Sequence, residues 1–183
     1  MSAPRIQVIV GSVREGRIGR AVADWFTAIA SARGDLSFET VDLRDHPLPL
    51  FDEPHHPRSG IYTRDTTRAW SQVIGRADGF VFVTPEYNHS YPASLKNAID
   101  YLNAEWAGKP AAFISYGGVS AGTRAVEALL PVLACFDMPL VMQQVNLPFA
   151  GQSMTEGRFA PPPVQETSAR ALIDALAARL AGR

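Results

Sequence analysis

The stretch Ile6–Gln7–Val8–Ile9–Val10–Gly11–Ser12–Val13–Arg14–Glu15–Gly16–Arg17–Ile18–Gly19 decides how the chain is read. It opens as a short, largely β-branched run, the pattern of a buried strand. The run stops at Gly11, and from Ile18 the apolar period changes. Ile18, Val22, Trp25, Phe26 and Ile29 recur on one helical face, with Gly34 as a stop. A strand feeding a glycine-bearing turn and then a helix directs backbone N–H groups and the helix dipole at one point, where an anion is held. Ser12 adds a hydroxyl, and Arg14 or Arg17 can neutralise a phosphate.

Two familiar phosphate loops do not fit. The spacing Gly11 to Gly16 starts a Walker A loop, but Arg17–Ile18 replace its Lys and Ser/Thr. The dinucleotide pattern G-x-G-x-x-G fails because Val13 stands at its second glycine. A mononucleotide monophosphate suits what remains; a plain strand-to-helix turn with solvated arginines is the alternative.

Outward from this unit the same alternation repeats. Ser37 to Leu43 reads as a second strand, and Arg44 to Asp65, with Pro47, Pro49, Pro54 and Pro57, as a long irregular loop of the kind that serves function or an oligomer contact. A helix carries Trp70, Val73, Ile74 and Ala77. Phe80 to Val83 is a third strand, apolar on both faces and ended by Thr84–Pro85. Pro92 starts a helix whose stripe is Leu95, Ala98, Ile99 and Leu102. Pro110 to Ser115 is a fourth strand; Val126, Leu129, Leu130 and Leu133 mark a helix; Pro139 to Met142 begins a fifth strand. Gln143 to Pro163 reads as irregular, and Leu172, Ile173, Leu176 and Leu180 mark a last helix. Five β–α units of this kind predict a single α/β domain over residues 1–183, a parallel sheet with helices on both faces and right-handed crossovers. Ligands of such sheets sit beyond the carboxyl ends of the strands.

That rule singles out two further loops. Thr84–Pro85–Glu86–Tyr87–Asn88–His89–Ser90–Tyr91–Pro92 offers an aromatic ring, an amide and backbone N–H groups, which suit a flat, heteroatom-rich ring with a polyol tail. Read blandly, it is a turn held by two prolines with Glu86 and His89 solvated. Ser115–Tyr116–Gly117–Gly118–Val119–Ser120–Ala121–Gly122 offers glycines for close approach and Tyr116 as a stacking surface. Its bland reading is a flexible connector.

Composition limits the partners. The chain has 183 residues, 46% hydrophobic and 19% charged, with a formal net charge of −1. That balance is globular and argues against nucleic acid, which needs concentrated Lys and Arg. One cysteine, Cys135, leaves no internal disulfide, no Cys/His cluster suggests a metal, and its apolar context predicts a buried small hydrophobe. The first ten residues are too short an apolar run for a signal peptide or membrane helix, so the expectation is a cytoplasmic protein.

The three loops in this order resemble the NAD(P)H-dependent FMN reductase family, flavodoxin-like enzymes that include quinone, azo-dye and chromate reductases. The resemblance is carried by Gly11–Ser12–x–Arg14, Pro85–Glu86–Tyr87–Asn88, Leu95–Lys96–Asn97–Ala98–Ile99–Asp100, Ser115–Tyr116–Gly117–Gly118 and Gly122–x–Arg124–Ala125. It implies a three-layer sandwich with strand order 2-1-3-4-5, and FMN as cofactor with NADPH or NADH as electron donor. Ser12, Arg14 and the backbone of residues 16–19 would hold the phosphate, so that Gly11, Ser12, Arg14, Arg17, Ile18 and Gly19 of this loop count as cofactor-binding. Pro85, Glu86, Tyr87 and Asn88 would line the ribityl and ring, with Ser115, Tyr116, Gly117 and Gly118 opposite. Many members carry Ser and Asn where this chain has Arg17 and Gly19. The family also implies a homodimer or homotetramer, with the helix after Pro92, the loop bearing Tyr62 and Trp70, and Glu105–Trp106 at the interface. No catalytic side chain is named, since a flavin carries the chemistry. A one-electron carrier and a non-enzymatic flavin-binding protein stay open on this fold.

Overall fold

The computed structural model describes residues 3–182. Its sheet has the order β2-β1-β3-β4-β5, every pairing parallel. The strands are β1 (Arg5–Val10), β2 (Ser37–Asp42), β3 (Gly79–Pro85), β4 (Ala111–Gly117) and β5 (Val145–Pro148). Helices α1 (Gly19–Ala30), α2 (Asp65–Gly75), α3 (Ala93–Asp100), α4 (Thr123–Ala134) and α5 (Pro163–Ala181) complete the units. The sequence thus gives the order of elements correctly, and the flavodoxin-like three-layer arrangement holds.

Alternation along β3 shows how the layers are specified. Val81 and Val83 face α1 and α5, among Val22, Phe26, Leu172 and Leu176. Phe80 and Phe82 face the other side, among Trp70, Ile74, Leu95, Ile99 and Leu129. All residues of β3 are buried, so the strand reads as a continuous apolar run rather than a half-polar one. The second face is aromatic: Phe82 stacks near Phe113 at 6.2 Å, and Trp106 lies 4.8 Å from Phe80. Each such ring contributes roughly 2–3 kcal/mol by burial.

Trp106 corrects the interface reading. It is 1% exposed and its indole N–H donates to the Ile99 carbonyl at 3.1 Å. Glu105 beside it accepts from the Tyr62 and Ser71 hydroxyls. Glu105 thus ties α2 to the segment after α3, and Trp106 belongs to the core on that face of the sheet. Trp70 is likewise buried, donating to the Ala98 carbonyl at 2.9 Å.

The fifth strand lies further along than the sequence suggests. Val141 N–H donates to the Ala111 carbonyl and Leu140 bridges Ala111, but Met142 and Gln143 then turn outward and pairing resumes only where Val145 meets Ile114. An edge strand tolerates this interruption because one side already faces solvent. The segment read as irregular therefore holds β5, a 3-10 turn (Ala150–Ser153) and a hairpin of β6 (Met154–Thr155) and β7 (Arg158–Phe159). Two smaller corrections concern prolines. Pro85 belongs to β3, paired with Tyr116, and Pro92 precedes α3, its carbonyl accepting from Leu95 and Lys96 N–H.

Cys135 is exposed, one residue beyond α4 and lining a hollow of about 500 Å³ with Phe51, Pro57 and Phe136. The buried stripe of α4 runs through Val126, Leu129 and Leu133, and position 135 falls off its phase.

Candidate functional site

Three loops leave the adjacent carboxyl ends of β1, β3 and β4, and each is positioned by its neighbours. Gly11 N–H donates to the Val83 carbonyl at 2.9 Å, and the Ser94 hydroxyl donates to the Gly11 carbonyl at 2.6 Å. A Cβ on Gly11 would meet Leu95 Cδ2 and the Val83 carbonyl oxygen at 3.3 Å each, so the chain passes tightly between β3 and α3. Ser12 is fully buried. Its Oγ lies 2.7 Å from the Tyr87 hydroxyl and accepts from Arg14 N–H at 3.3 Å. The first loop and the second are thereby joined.

The N-terminus of α1 has no side-chain cap from Ile18 and no acidic residue in its first turn. Such an end carries partial positive charge on its leading N–H groups and favours an anion. Arg14 stays exposed. Arg17 does not project toward solvent: its guanidinium pairs with Asp42 at 2.7 Å, and the two side chains are 10% and 2% exposed. Its charge is balanced by Asp42, so it brings donors rather than net charge to this end of the sheet.

The second loop is a tight turn. Tyr87 and Ser90 exchange backbone hydrogen bonds at 2.8 and 3.0 Å, and the two residues between them, Asn88 (φ 49°) and His89 (φ 64°), are left-handed. Two successive positive φ angles are the geometry of a type I′ turn, which Asn tolerates better than most residues. Glu86 reaches the third loop instead of solvent, accepting from Ser120 and Arg124 at 2.8 Å each. Burial opposes its ionisation, but these two donors outweigh that and hold its carboxyl below the ordinary range.

In the third loop, Ser115 Oγ sits 2.8 Å from the Ala121 carbonyl oxygen and 2.9 Å from Asn146 Oδ1, which fixes it inward. Gly122 has φ +80°, and a Cβ there would lie 2.7 Å from Tyr116 N. Gly118 has open space around it, and a Cβ on Gly117 would meet the Gly122 backbone nitrogen at 3.1 Å. Tyr116 is not a stacking surface. It is 6% exposed, with its ring in the core beneath α1 and its hydroxyl 2.6 Å from where a Cβ of Gly19 would stand. The reason is parity: Tyr116 follows Ala112 and Ile114 on the α1 side of β4.

The structure thus brings Gly11, Ser12, Arg14, Arg17, Ile18 and Gly19 to one edge with Pro85, Glu86, Tyr87, Asn88, Gly117 and Gly118. Ser115 and Tyr116 underlie that edge. Three participants were not singled out from sequence for these contacts. Asp42 could have been found from strand adjacency, since it ends β2 opposite Val10. Ser94 gave no signal. Phe149, half-exposed and left-handed at φ 47°, donates its N–H to the Gly118 carbonyl at 3.3 Å. A bulky residue in that conformation costs about 1–3 kcal/mol and is held only by its surroundings.

An open parallel sheet of order 2-1-3-4-5 with its glycine-bearing loops gathered at the carboxyl edge defines a flavodoxin-like protein. More narrowly, the chain belongs to the NADPH-dependent FMN reductase family, whose model matches residues 4–152. It is 50% identical over 126 residues to an NAD(P)H-dependent FMN reductase of Schizosaccharomyces pombe, an alignment covering 68% of this chain and 63% of that protein. The chain therefore matches a little under two thirds of that relative's length. A 2-hydroxy-1,4-benzoquinone reductase of a Burkholderia species is 35% identical over 147 residues, covering 77% of this chain and 76% of the relative. Among solved structures, a flavoenzyme NAD(P)H:acceptor oxidoreductase from Paracoccus denitrificans superposes with a TM-score of 0.76 at 22% identity, covering 97% of this chain and 99% of that one. That likeness concerns the fold. Among the described residues no helix is long and apolar enough to cross a membrane.

Proposed function

We propose that this protein is an FMN-dependent NAD(P)H oxidoreductase that passes a hydride's two electrons to a quinone, a flavin or a similar small acceptor by a ping-pong mechanism. The observation that carries the reading is the uncapped N-terminus of α1 beside buried Ser12 and Arg17, facing the Tyr87 turn and the open Gly117–Gly118 backbone. Those parts fit FMN. The α1 end with Ser12 and Arg14 would hold the phosphate, and Pro85 to Asn88 and Gly117–Gly118 would flank the ring. When bound, FMN supplies hydride acceptance from a nicotinamide and release of the electrons to the next acceptor.

What the chain contributes is position and electrostatics. Tyr87 is tied through its hydroxyl to Ser12, so the ring-side loop is held in register with the phosphate end. Glu86, Ser120 and Arg124 fasten the second loop to the third. The N–H groups of Gly117 and Gly118 can turn toward developing negative charge without a side chain in the way, as oriented dipoles do. The same site would admit nicotinamide and acceptor in succession, which is why the two-stroke cycle follows. Names of relatives that reduce quinones support the acceptor class.

The reading includes a homodimer or homotetramer, supported by the exposed Leu50 and Ile61 on the Pro-rich loop, and a cytoplasmic setting, supported by the lone cysteine. Light scattering on a chromatographed sample tests the first; a stable monomer removes it. Steady-state NAD(P)H oxidation with a benzoquinone tests the activity. Dependence on FMN and parallel double-reciprocal lines are expected; no oxidation in FMN-loaded protein would reject an enzyme in favour of a carrier or a binding protein.

A further inference from the structure

Tyr116 carries a buried hydroxyl with no bond. Its ring packs in the aliphatic layer beneath α1, near Val10, Val83 and Ile114. Yet among the described residues its Oη is a buried side-chain atom with no hydrogen-bond partner, and so is Arg17 Nε. A phenylalanine would fill the same space without desolvating an O–H, so a tyrosine here is a net loss unless the hydroxyl has a use.

Gly19 points to that use. It is the first residue of α1, and a Cβ there would stand 2.6 Å from Tyr116 Oη and 3.3 Å from Val10 Cγ1. The hydroxyl therefore occupies the place that a side chain at position 19 would take, at the end of the helix whose leading N–H groups are uncapped. Arg14, Arg17, Asp42 and Tyr87 are the charged and titratable groups that act on it. Burial, foremost, raises its pKa well above the ordinary tyrosine value. It keeps its proton at neutral pH and can only be useful as a donor or a neutral acceptor.

We infer that Tyr116 is a phosphate-binding residue: its hydroxyl, reaching up beneath Gly19, donates to the phosphate monoester of the flavin in place of a side chain at the head of α1. Arg17 Nε–H, a second buried donor without a partner among the described residues at this end of the sheet, serves the same anion. The inference rests on the FMN reading above and makes it specific. Tyr116 serves the phosphate end of the ligand and not its ring, so its removal distinguishes FMN from riboflavin.

The test is flavin titration of the stripped full-length protein, following fluorescence quenching, with FMN and riboflavin on wild type, Tyr116→Phe and the double variant Gly19→Ser/Tyr116→Phe. Wild type should bind FMN more tightly than riboflavin. Tyr116→Phe should lose on the order of ten-fold in FMN affinity, the scale of one hydrogen bond to a charged group, with riboflavin unchanged within about two-fold. The double variant, with a serine hydroxyl where the phenol was, should recover part of the FMN preference. Melting of the flavin-free Tyr116→Phe protein should be unchanged or higher. Equal loss for both flavins, no loss for FMN, or failure of Tyr116→Phe to fold would overturn the assignment, the last by showing that the hydroxyl holds the scaffold. A wild type that binds both flavins equally would overturn it while leaving FMN binding intact. A wild type that binds neither would overturn the FMN reading and this inference with it.

Discussion

The two ends of the candidate site use their polar groups in opposite ways. At one end Glu86, Ser120 and Arg124 satisfy each other, and Ser115 closes onto Ala121 and Asn146. At the other, Ser12 and Asp42 are bonded, but among the described residues Arg17 Nε and Tyr116 Oη stay buried without a partner beneath a helix end that has no side-chain cap. A self-satisfied cluster is scaffold: it holds loops where the backbone must be. Two buried donors left over beneath one helix end need a partner, and an anion at that end would supply it. The difference separates the residues that shape the site from those that bind at it, a distinction the loop sequences alone do not make.

The comparison breaks most sharply at the glycines. Gly122→Ala puts a Cβ 2.7–2.8 Å from Tyr116 backbone atoms at φ +80°. Rigid backbone cannot give way, so a loss of about 3 kcal/mol or more is expected, a fall in Tm of roughly 6–12 °C in thermal melting. Gly118→Ala, four residues earlier in open space, should stay within about 0.5 kcal/mol. Equal effects would mean that the third loop is not fastened where the structure places it.

At the phosphate end the corresponding change is softer. Gly19→Ala meets a side-chain oxygen at 2.6 Å, and overpacking of this kind costs about 1–3 kcal/mol. Combined with Tyr116→Phe, which removes that atom, most of the cost should vanish. Urea unfolding of the single and double variants measures this departure from additivity; strictly additive losses would contradict the contact.

Charge on the scaffold side is expected to matter in a pH-dependent way. The folded-state pKa of Glu86 is lowered, so its contribution is present above the ordinary carboxylate range and is lost as pH falls through the folded value. The gap in Tm between wild type and Glu86→Gln should therefore be widest near neutral pH and close in acid. Glu53, in the Pro-rich loop, gives the weakest effect and a lower limit. Burial raises its pKa, but N–H groups of Arg64 and Thr63 and the Thr63 hydroxyl outweigh it and bring it to about 2. Its tie to the loop weakens only as pH falls from about 4.5 toward about 2. Limited proteolysis of Glu53→Gln should show faster cleavage between residues 44 and 64 at neutral pH, and no difference from wild type below pH 2.

Much of this was legible in the sequence because period and punctuation are local. Val81 and Val83 alternating with Phe80 and Phe82 announce a strand covered on both faces, and Gly11 to Gly19 announces an anion loop. Long-range contacts were not legible. Nothing near Trp106 shows that α2 and α3 close over it, so its apolar surface looked like an interface. The run Pro139 to Met142 looked like a strand because its composition is that of one, but pairing with Ile114 selects Val145. Tyr116 could have been turned inward by counting parity from Ile114. That its hydroxyl meets Gly19 required two elements a hundred residues apart to be packed first.

The central claim is tested most directly by the absorbance spectrum of the FMN-loaded protein under anaerobic conditions, before and after NADPH. The account predicts flavin bands that bleach on NADPH and return when a benzoquinone is added. Bands that persist with both NADPH and NADH, or a protein that retains no FMN, would contradict it.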